Sequence, residues 1–236
     1  MNRYVDFLKA ECEIFSDPIQ LALSVFEEGQ NDEGLNEWAQ KMISGEINSL
    51  PDEECISAEE PAARIRRYKA LIGEMTFNLE VLLQQSGQLG RVIDIGGGPG
   101  ILDVFLLKEG LADSMINVDP SPCALELTAE LATKNDVFVE TKHGFLQDIP
   151  LEDESADTCI AMSVLEWSKE WRQGLKEMTR VLRPRGLLYI ATSNQRFRTE
   201  ISPSEVNQIL ADLEITPQIL IQPTNMFDKI FIIGRK

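Results

Sequence analysis

The sequence predicts an α/β fold in which helices cover both faces of a mostly parallel sheet. Three observations support this prediction: an apolar strand that breaks into a glycine-rich turn at residues 92–100, a second strand that ends in Asp119, and later strand patterns that alternate with helical ones. A chain of 236 residues with 43% hydrophobic content is long enough for one such domain and an appended region.

The first observation is a strand that runs directly into a turn. Its β-branched residues are those expected of a strand buried on both faces. Asp94 places a carboxylate near the carboxyl end of this strand, where it is costly unless a partner stabilises it. The glycines that follow let the backbone approach a ligand closely. A short buried helix over residues 101–110 is predicted next, and Gly110 ends it.

The turn alone is compatible with several nucleoside or phosphate ligands, or with a purely structural role. A dinucleotide-binding G-x-G-x-x-G pattern would need glycine where Ile101 stands, and no Gly-Lys-Ser/Thr of a phosphate loop follows. Asp119 lies about twenty residues further on, where a βαβ unit places a carboxylate for ribose hydroxyls. Its alternative role is to cap the next helix.

The remaining segments alternate helical and strand periodicity, as βαβ units do. The predicted elements are helix 122–135, strand 137–140, a strand ending at Met162, helix 168–183, strand 186–191, helix 203–213, and strands 215–222 and 229–234. Ser202 is the predicted N-cap of helix 203–213.

Four ordered blocks make the chain resemble class I S-adenosylmethionine-dependent methyltransferases of the small-molecule type (methyltransferase type 11/25-like) from about Arg91 to Tyr189. The blocks are Val92–Gly100, Val118–Ser121, Asp148–Trp167 and Leu182–Ile190. The resemblance implies a Rossmann-like seven-stranded sheet of order 3-2-1-4-5-7-6 whose last strand is antiparallel, with an N-terminal helical extension. It also implies S-adenosyl-L-methionine as cofactor and S-adenosyl-L-homocysteine as product.

The resemblance further assigns cofactor contacts to individual residues. Asp94 would support the amino acid end of the cofactor, and Asp119 would hold the ribose hydroxyls. Backbone at the end of strand four, around Met162, would face the methionine moiety. The cofactor would also be lined by the backbone of the turn residues Gly96, Gly97 and Gly98.

The adenine side departs from the family pattern. Pro120 would pack near the adenine, but Phe145 stands where the family usually has an acid that meets the adenine amino group. Phe145 would then give apolar cover, and the backbone N–H of Leu146 would supply the hydrogen bond.

Catalysis by such a protein needs few side chains, because the methyl group of a sulfonium is already activated and alignment supplies much of the acceleration. A general base helps only when the acceptor carries a proton. Glu166 is the candidate base or acceptor-orienting group, and Trp167 is a candidate pocket wall. His143, the one histidine, is expected to lie on the surface or to have a hydrogen-bonded structural role. No metal site is predicted.

The composition limits the partners. A formal net charge of −17 argues against nucleic acid, and no apolar run is long enough to span a membrane. The four cysteines lack C-x-x-C spacing and indicate reduced thiols in a cytoplasmic protein. We therefore expect a small-molecule acceptor, since strand four is also not followed by an Asn/Asp-Pro-Pro-Tyr/Phe motif. Arginines at 64, 66, 67, 196 and 198 would suit an anionic acceptor, or form a solvated surface.

Residues 1–88 are predicted to be a helical lid or dimerisation region, and residues 89–236 the methyltransferase domain. Residues 1–60 alone carry a charge of −12, so this segment presents a different surface from the rest. The alternative to an enzyme is a non-catalytic S-adenosylmethionine-binding protein or subunit that acts through its helical N-terminal region.

Overall fold

The structure is a computed structural model that describes residues 2–12, 75–193, 201–222 and 229–236. The described helices are α1 (Asn2–Cys12), α2 (75–85), α3 (Ile101–Lys108), α4 (Pro122–Lys134), α5 (Trp171–Val181) and α6 (Pro203–Asp212). The strands are β1 (Arg91–Ile95), β2 (Ser114–Asp119), β3 (Val139–His143), β4 (Ala156–Met162), β5 (Leu182–Ser193), β6 (Gln218–Gln222) and β7 (Lys229–Arg235).

The seven strands form one sheet of order β3-β2-β1-β4-β5-β7-β6, so the predicted α/β fold and strand order are confirmed. β7 is antiparallel to both of its neighbours, and the other pairs are parallel. The chain proceeds outward from β1 through β2 to β3 and then crosses back to β4 on the other side. The carboxyl ends of β1 and β4 therefore diverge at a topological switch point, which is where open α/β sheets bind ligands.

Alternate residues of each central strand enter two separate cores. Val92 and Ile160 face the core beneath α1, α2 and α3, whereas Ile93 and Cys159 face the core beneath α5 and α6. All four of these side chains are fully buried. This double burial explains why the central strands are apolar at nearly every position.

The first and last parts of the predicted N-terminal region pack directly on the first of these cores. Tyr4 on α1 contacts Phe105 on α3 with ring centroids 4.5 Å apart. Glu11 pairs with Lys134 on α4 at 2.7 Å. The hydroxyl of Tyr189 on β5 donates to the carbonyl of Asn78 on α2 at 2.7 Å. Residues 13–74, which hold most of the predicted lid, lie outside the described residues.

Several predicted boundaries are wrong, and edge position or local turns explain each one. The third strand was predicted at 137–140, but it pairs with β2 from Val139 to His143. Its last residues are polar, as an edge strand allows, so the apolar pattern did not extend to them. The fifth strand begins at Leu182 rather than 186, since Leu182 pairs with Ala156 before the register shifts. The helix predicted at 168–183 begins at Trp171, after a 3₁₀ turn over Leu165–Trp167.

The capping hydrogen bond predicted for Ser202 is also absent. Ser202 does occupy the N-cap of α6, but its hydroxyl makes no capping hydrogen bond and lies 2.8 Å from the hydroxyl of Ser204. In the part of the chain that the structure describes, no helix has the length and apolar character needed to cross a membrane.

Candidate active site

The glycine turn lies at the carboxyl edge of the sheet, between the ends of β1, β2 and β4. It begins as a continuation of the ladder, because the Gly96 N–H donates to the Val118 carbonyl on β2 at 2.7 Å. The turn then closes with the Gly100 N–H on the Gly97 carbonyl at 3.1 Å. The predicted strand, turn and helix are therefore all present.

Two glycines show why the turn needs this residue type. Gly100 has φ +68°, and an added Cβ would lie 2.4 Å from Thr128 Cγ2 on α4. Gly98 has φ +56°, but its Cβ would meet no atom within 4 Å. Left-handed backbone is strained for other residues in both cases. Only Gly98 faces open space, so the surface of the turn is free for a ligand there.

Asp119 closes the turn from the end of β2. Its Oδ2 accepts the Gly98 N–H at 3.0 Å, and its Oδ1 accepts the Ser121 N–H at 2.8 Å. Asp119 is not the cap of α4, because Ser121 is the N-cap and its hydroxyl accepts the Ala124 N–H. Each carboxylate oxygen keeps a further lone pair for a ligand hydroxyl.

A buried polar group lies directly beneath the turn. Asn117 on β2 and Thr128 on α4, both completely buried, approach the Gly98 carbonyl with donor distances of 3.1 and 2.9 Å. Asn117 Nδ2 also lies 2.8 Å from Asp103 Oδ2. These contacts hold the carbonyl of Gly98 inward and fix the conformation of the turn.

Two carboxyl groups share this buried space. Asp94, at the end of β1, and Asp103, on α3, are 4% and 0% exposed. Burial raises the pKa of Asp94 well above its usual range, and the neighbouring Asp103 raises it further. Burial likewise raises the pKa of Asp103 to about 7, against its hydrogen bond from Asn117.

Burial also raises the pKa of Asp119, although the N–H groups of Ser121 and Gly98 and the charge of His143 act in the opposite direction. His143 ends β3 opposite Asp119 in the ladder. Its ring lies edge-on to Phe145 with centroids 5.4 Å apart. Phe145 is half-buried, whereas Leu146 is buried in the core below. The structure thus places the predicted adenine-side residues beside Asp119.

The end of β4 borders the candidate site on the side of the glycine turn opposite β2. Met162 is half-buried at the last position of the strand, and Ser163 follows it with φ +58°. Glu166, in the 3₁₀ turn, is completely buried and accepts the hydroxyl of Thr192 on β5 at 2.6 Å. Trp167 is half-buried beside it.

The structure brings most predicted site residues to one sheet edge and adds three that were not predicted. Asp103, Asn117 and Thr128 complete the polar group beneath the turn. Their signal in the sequence was polar residues inside otherwise apolar segments, such as Asp103 in the run 101–107. The five arginines of the predicted anion site lie outside the described residues.

Comparison with known proteins gives the same family over the same region. Residues 93–190 match a family described as "Methyltransferase domain". An uncharacterized methyltransferase of Mycobacterium tuberculosis (strain ATCC 25618 / H37Rv) is 33% identical over 98 residues, which is 42% of this chain and 37% of the relative. The chain therefore matches little more than a third of that relative's length. These matches confirm the resemblance carried by the four sequence blocks.

Solved structures share the fold at lower identity. A SAM-dependent methyltransferase from Aquifex aeolicus superposes with a TM-score of 0.53 at 21% identity, over 67% of this chain and 88% of that chain. Phosphoethanolamine N-methyltransferase 2 of Haemonchus contortus, solved with phosphomonomethylethanolamine and S-adenosylhomocysteine, gives 0.61 at 14% identity, over 68% and 52% of the two chains. At these identities the likeness establishes the shared fold.

Proposed function

We propose a specific reaction for this chain, whose residues 93–190 match the family described as "Methyltransferase domain". In this proposal the protein binds S-adenosylmethionine at the glycine turn and transfers its methyl group to a small-molecule acceptor. The observation that carries the proposal is the turn itself, which is open above Gly98 and backed by buried acids below.

The residues at this edge fit the chemistry of the cofactor. Asp119 keeps lone pairs for a ribose diol, and the pair Asp94 and Asp103 provides negative charge or hydrogen-bond acceptors for an ammonium group. Phe145 offers an apolar surface to a purine ring. When bound, the cofactor supplies a methyl group already activated by the positive charge of its sulfonium.

The protein's own task is then to align the acceptor and exclude water. We assign Glu166 to the acceptor, because its carboxylate follows β4 at the edge where Met162 ends the strand. The hydroxyl of Thr192 fixes the orientation of this carboxylate. Glu166 would orient a protonated acceptor or take its proton as the methyl group transfers.

A small acceptor is favoured over nucleic acid because the chain has a formal charge of −17, which repels phosphates. The Haemonchus contortus protein of the same fold was solved with a small phosphorylated amine. An anionic acceptor held by Arg196 or Arg198 is a finer form of the same proposal.

Transfer of a labelled methyl group from S-adenosylmethionine into fractions of a metabolite extract tests the proposal. We expect label in at least one low-molecular-weight fraction. Glu166→Gln should slow this transfer about a hundredfold, because the amide cannot accept a proton, while leaving cofactor affinity unchanged. Glu170→Gln is the matched control, because Glu170 is exposed and its side chain makes no capping hydrogen bond.

The assay also separates the enzyme from the non-catalytic alternative. Tight cofactor binding with no label in any small-molecule, peptide or RNA fraction would support a binding protein and contradict the proposal. Label in RNA or protein alone would keep the enzyme and overturn the choice of acceptor.

A further inference from the structure

The strand β6 ends the sheet with an open edge. It pairs with β7 on one side, and among the described residues no strand pairs with its other side. Four of its five residues are exposed, and Ile219 is the half-buried exception. The backbone N–H and C=O groups along this outer edge can therefore pair with another extended chain.

Apolar side chains gather at the same end of the sheet. The described part of the chain exposes four large apolar side chains, and three of them lie here: Phe77, Leu220 and Ile221. Phe77 on α2 contacts Phe231 on β7 with ring centroids 5.6 Å apart, and Leu220 is the ladder partner of Phe231. Phe77 and Leu220 therefore lie on one face of the sheet, and Ile221 lies on the other. Clustered exposed apolar groups mark interaction surfaces.

The two edge strands differ in charge. The edge strand β3 carries Glu140 and Lys142, paired at 2.9 Å, and charges of this kind protect a sheet edge from other chains. Residues 215–222, which include β6, contain no charged side chain. The formal charge of −17 opposes the association of two copies, and this opposition is locally weakest where a strip of surface carries no charge.

The sequence of β6 matches itself. Residues 218–222 are Gln-Ile-Leu-Ile-Gln, which is the same in both directions. Antiparallel pairing about a two-fold axis through Leu220 would place Leu220 opposite its copy, and Ile219 of one chain opposite Ile221 of the other. Side chains directly opposite share a face of the sheet, so every apolar residue would meet an apolar one. Such self-complementarity is what a two-fold interface requires.

We propose that the outer edge of β6 is a dimerisation surface at which a second copy of this chain adds its own β6. The pairing joins the two seven-stranded sheets into one. Five paired residues extend over about 17 Å, which makes a small interface. The dimer is therefore weak, with a Kd on the order of 10 μM. This inference does not depend on the proposed function.

Sedimentation velocity over protein concentrations from about 1 to 200 μM tests the assembly. We expect the mass to rise from the 26.5 kDa of one chain toward twice that value. Ile221→Lys should weaken the dimer at least about tenfold, because it places a charge within the paired strip. Ile221 is 51% exposed in the single chain, so the substitution should leave folding unchanged.

Phe138→Lys is the matched control. Phe138 is 80% exposed and lies next to β3, the other edge strand of the sheet. The two substitutions replace an exposed apolar side chain and change the net charge equally. Phe138→Lys should therefore dimerise as the wild type does.

Cysteine cross-linking tests the register. In the proposed pairing the two Leu220 Cα atoms lie about 4.5–5.5 Å apart, within reach of a disulfide. Leu220→Cys should give a covalent dimer on a non-reducing gel after mild oxidation. Gln218→Cys is the control, because each copy of residue 218 lies four residues along the strand from the other, about 14 Å away. The native cysteines are present in both variants and set the background.

Three outcomes would overturn the proposal. A wild-type protein that stays monomeric over the whole concentration range excludes a second copy and leaves the edge to an extended peptide of another protein. A dimer that Ile221→Lys and Phe138→Lys affect equally uses another surface. Cross-linking through Gln218→Cys as readily as through Leu220→Cys contradicts the two-fold axis at Leu220.

Discussion

Gly98 and Gly110 have the same local geometry in different places. Their φ angles are +56° and +65°, and an added Cβ would meet no atom within 4 Å at either position. Alanine in this backbone conformation costs about 1–2 kcal/mol. Gly110 lies in an exposed turn after α3, whereas Gly98 lies at the carboxyl edge of the sheet. Comparing the two separates backbone strain from loss of ligand space.

Gly98→Ala and Gly110→Ala should lower the melting temperature by similar amounts, on the order of 2–8 °C. Only Gly98→Ala should also weaken binding of S-adenosylhomocysteine, by about tenfold or more, because its methyl group enters the space assigned to the cofactor. Thermal melts and calorimetric titration of both variants check this. Equal cofactor affinity in the two variants would contradict the placement of the cofactor over Gly98.

At the scale of single residues, the sequence predicted the parts of the site that a motif records. The glycine turn and Asp119 follow from their types and their spacing along a βαβ unit. The sequence did not identify Asp103 and Asn117 as site residues, because one polar residue in an apolar segment fits an exposed, a structural or a functional position equally well. Their role depends on contacts between β2 and α3 that spacing does not encode.

Among the elements, the loop between β3 and β4 is attached to α5 by the side chains of Arg180 and Glu177. Arg180 donates to the carbonyls of Ile149 and Leu151, at 2.8 and 2.7 Å, and to the carboxylate of Glu177. Glu177 in turn accepts the Ile149 N–H at 3.0 Å, and the Arg180 hydrogen bond lowers the pKa of Glu177. This loop includes Phe145 and Leu146, two of the proposed adenine-side residues.

Arg180→Met should therefore destabilise the protein by about 1–3 kcal/mol, because the carbonyls of Ile149 and Leu151 and the carboxylate of Glu177 all lose the guanidinium as a donor. Arg183→Met is the matched control. Arg183 pairs with Asp157 at 2.7 Å in a surface contact worth at most about 1 kcal/mol. Melting temperatures give the stability difference, and faster amide hydrogen exchange over residues 144–151 in Arg180→Met alone would locate it. Equal losses in both variants would contradict this role for Arg180.

The sequence patterns were sufficient to predict the order of the strands in the sheet but not the bounds of every strand. The strand order was correct because apolar central strands alternate with helices, and the four blocks that carry the family resemblance imply one topology. The bounds of β3 and β5 were wrong for a different reason: they depend on register with a neighbour, as when Leu182 pairs with Ala156 and residue 187 with Thr158. Pairing between distant strands is not visible in local periodicity.

For the whole molecule, the described acids whose pKa values are shifted form two groups with opposite effects on stability. The half-buried Glu177 and the exposed Glu205 have pKa values lowered by arginine partners, so they stabilise the fold above their ordinary pKa. Asp94, Asp103 and Asp119 are buried with raised pKa values, so ionising them opposes folding. The buried acids at the proposed cofactor site therefore lower the stability of the fold, and this loss of stability grows as the pH rises.

The sign of this cost can be tested through Asp103. The unfolded chain loses its proton near the ordinary value of 3.8, whereas the folded protein holds it until about pH 7. Between these values the folded state binds more protons, so stability falls as pH rises through this window and levels off above it. Asp103→Asn removes the titration. The variant's melting temperature, relative to wild type, should therefore increase from pH 5 to pH 8 by about 4–8 °C, which corresponds to about 2 kcal/mol. Asp113→Asn, at an exposed position, is the control variant. A pH-independent difference for Asp103→Asn would contradict the retention of a proton by Asp103 in the folded protein.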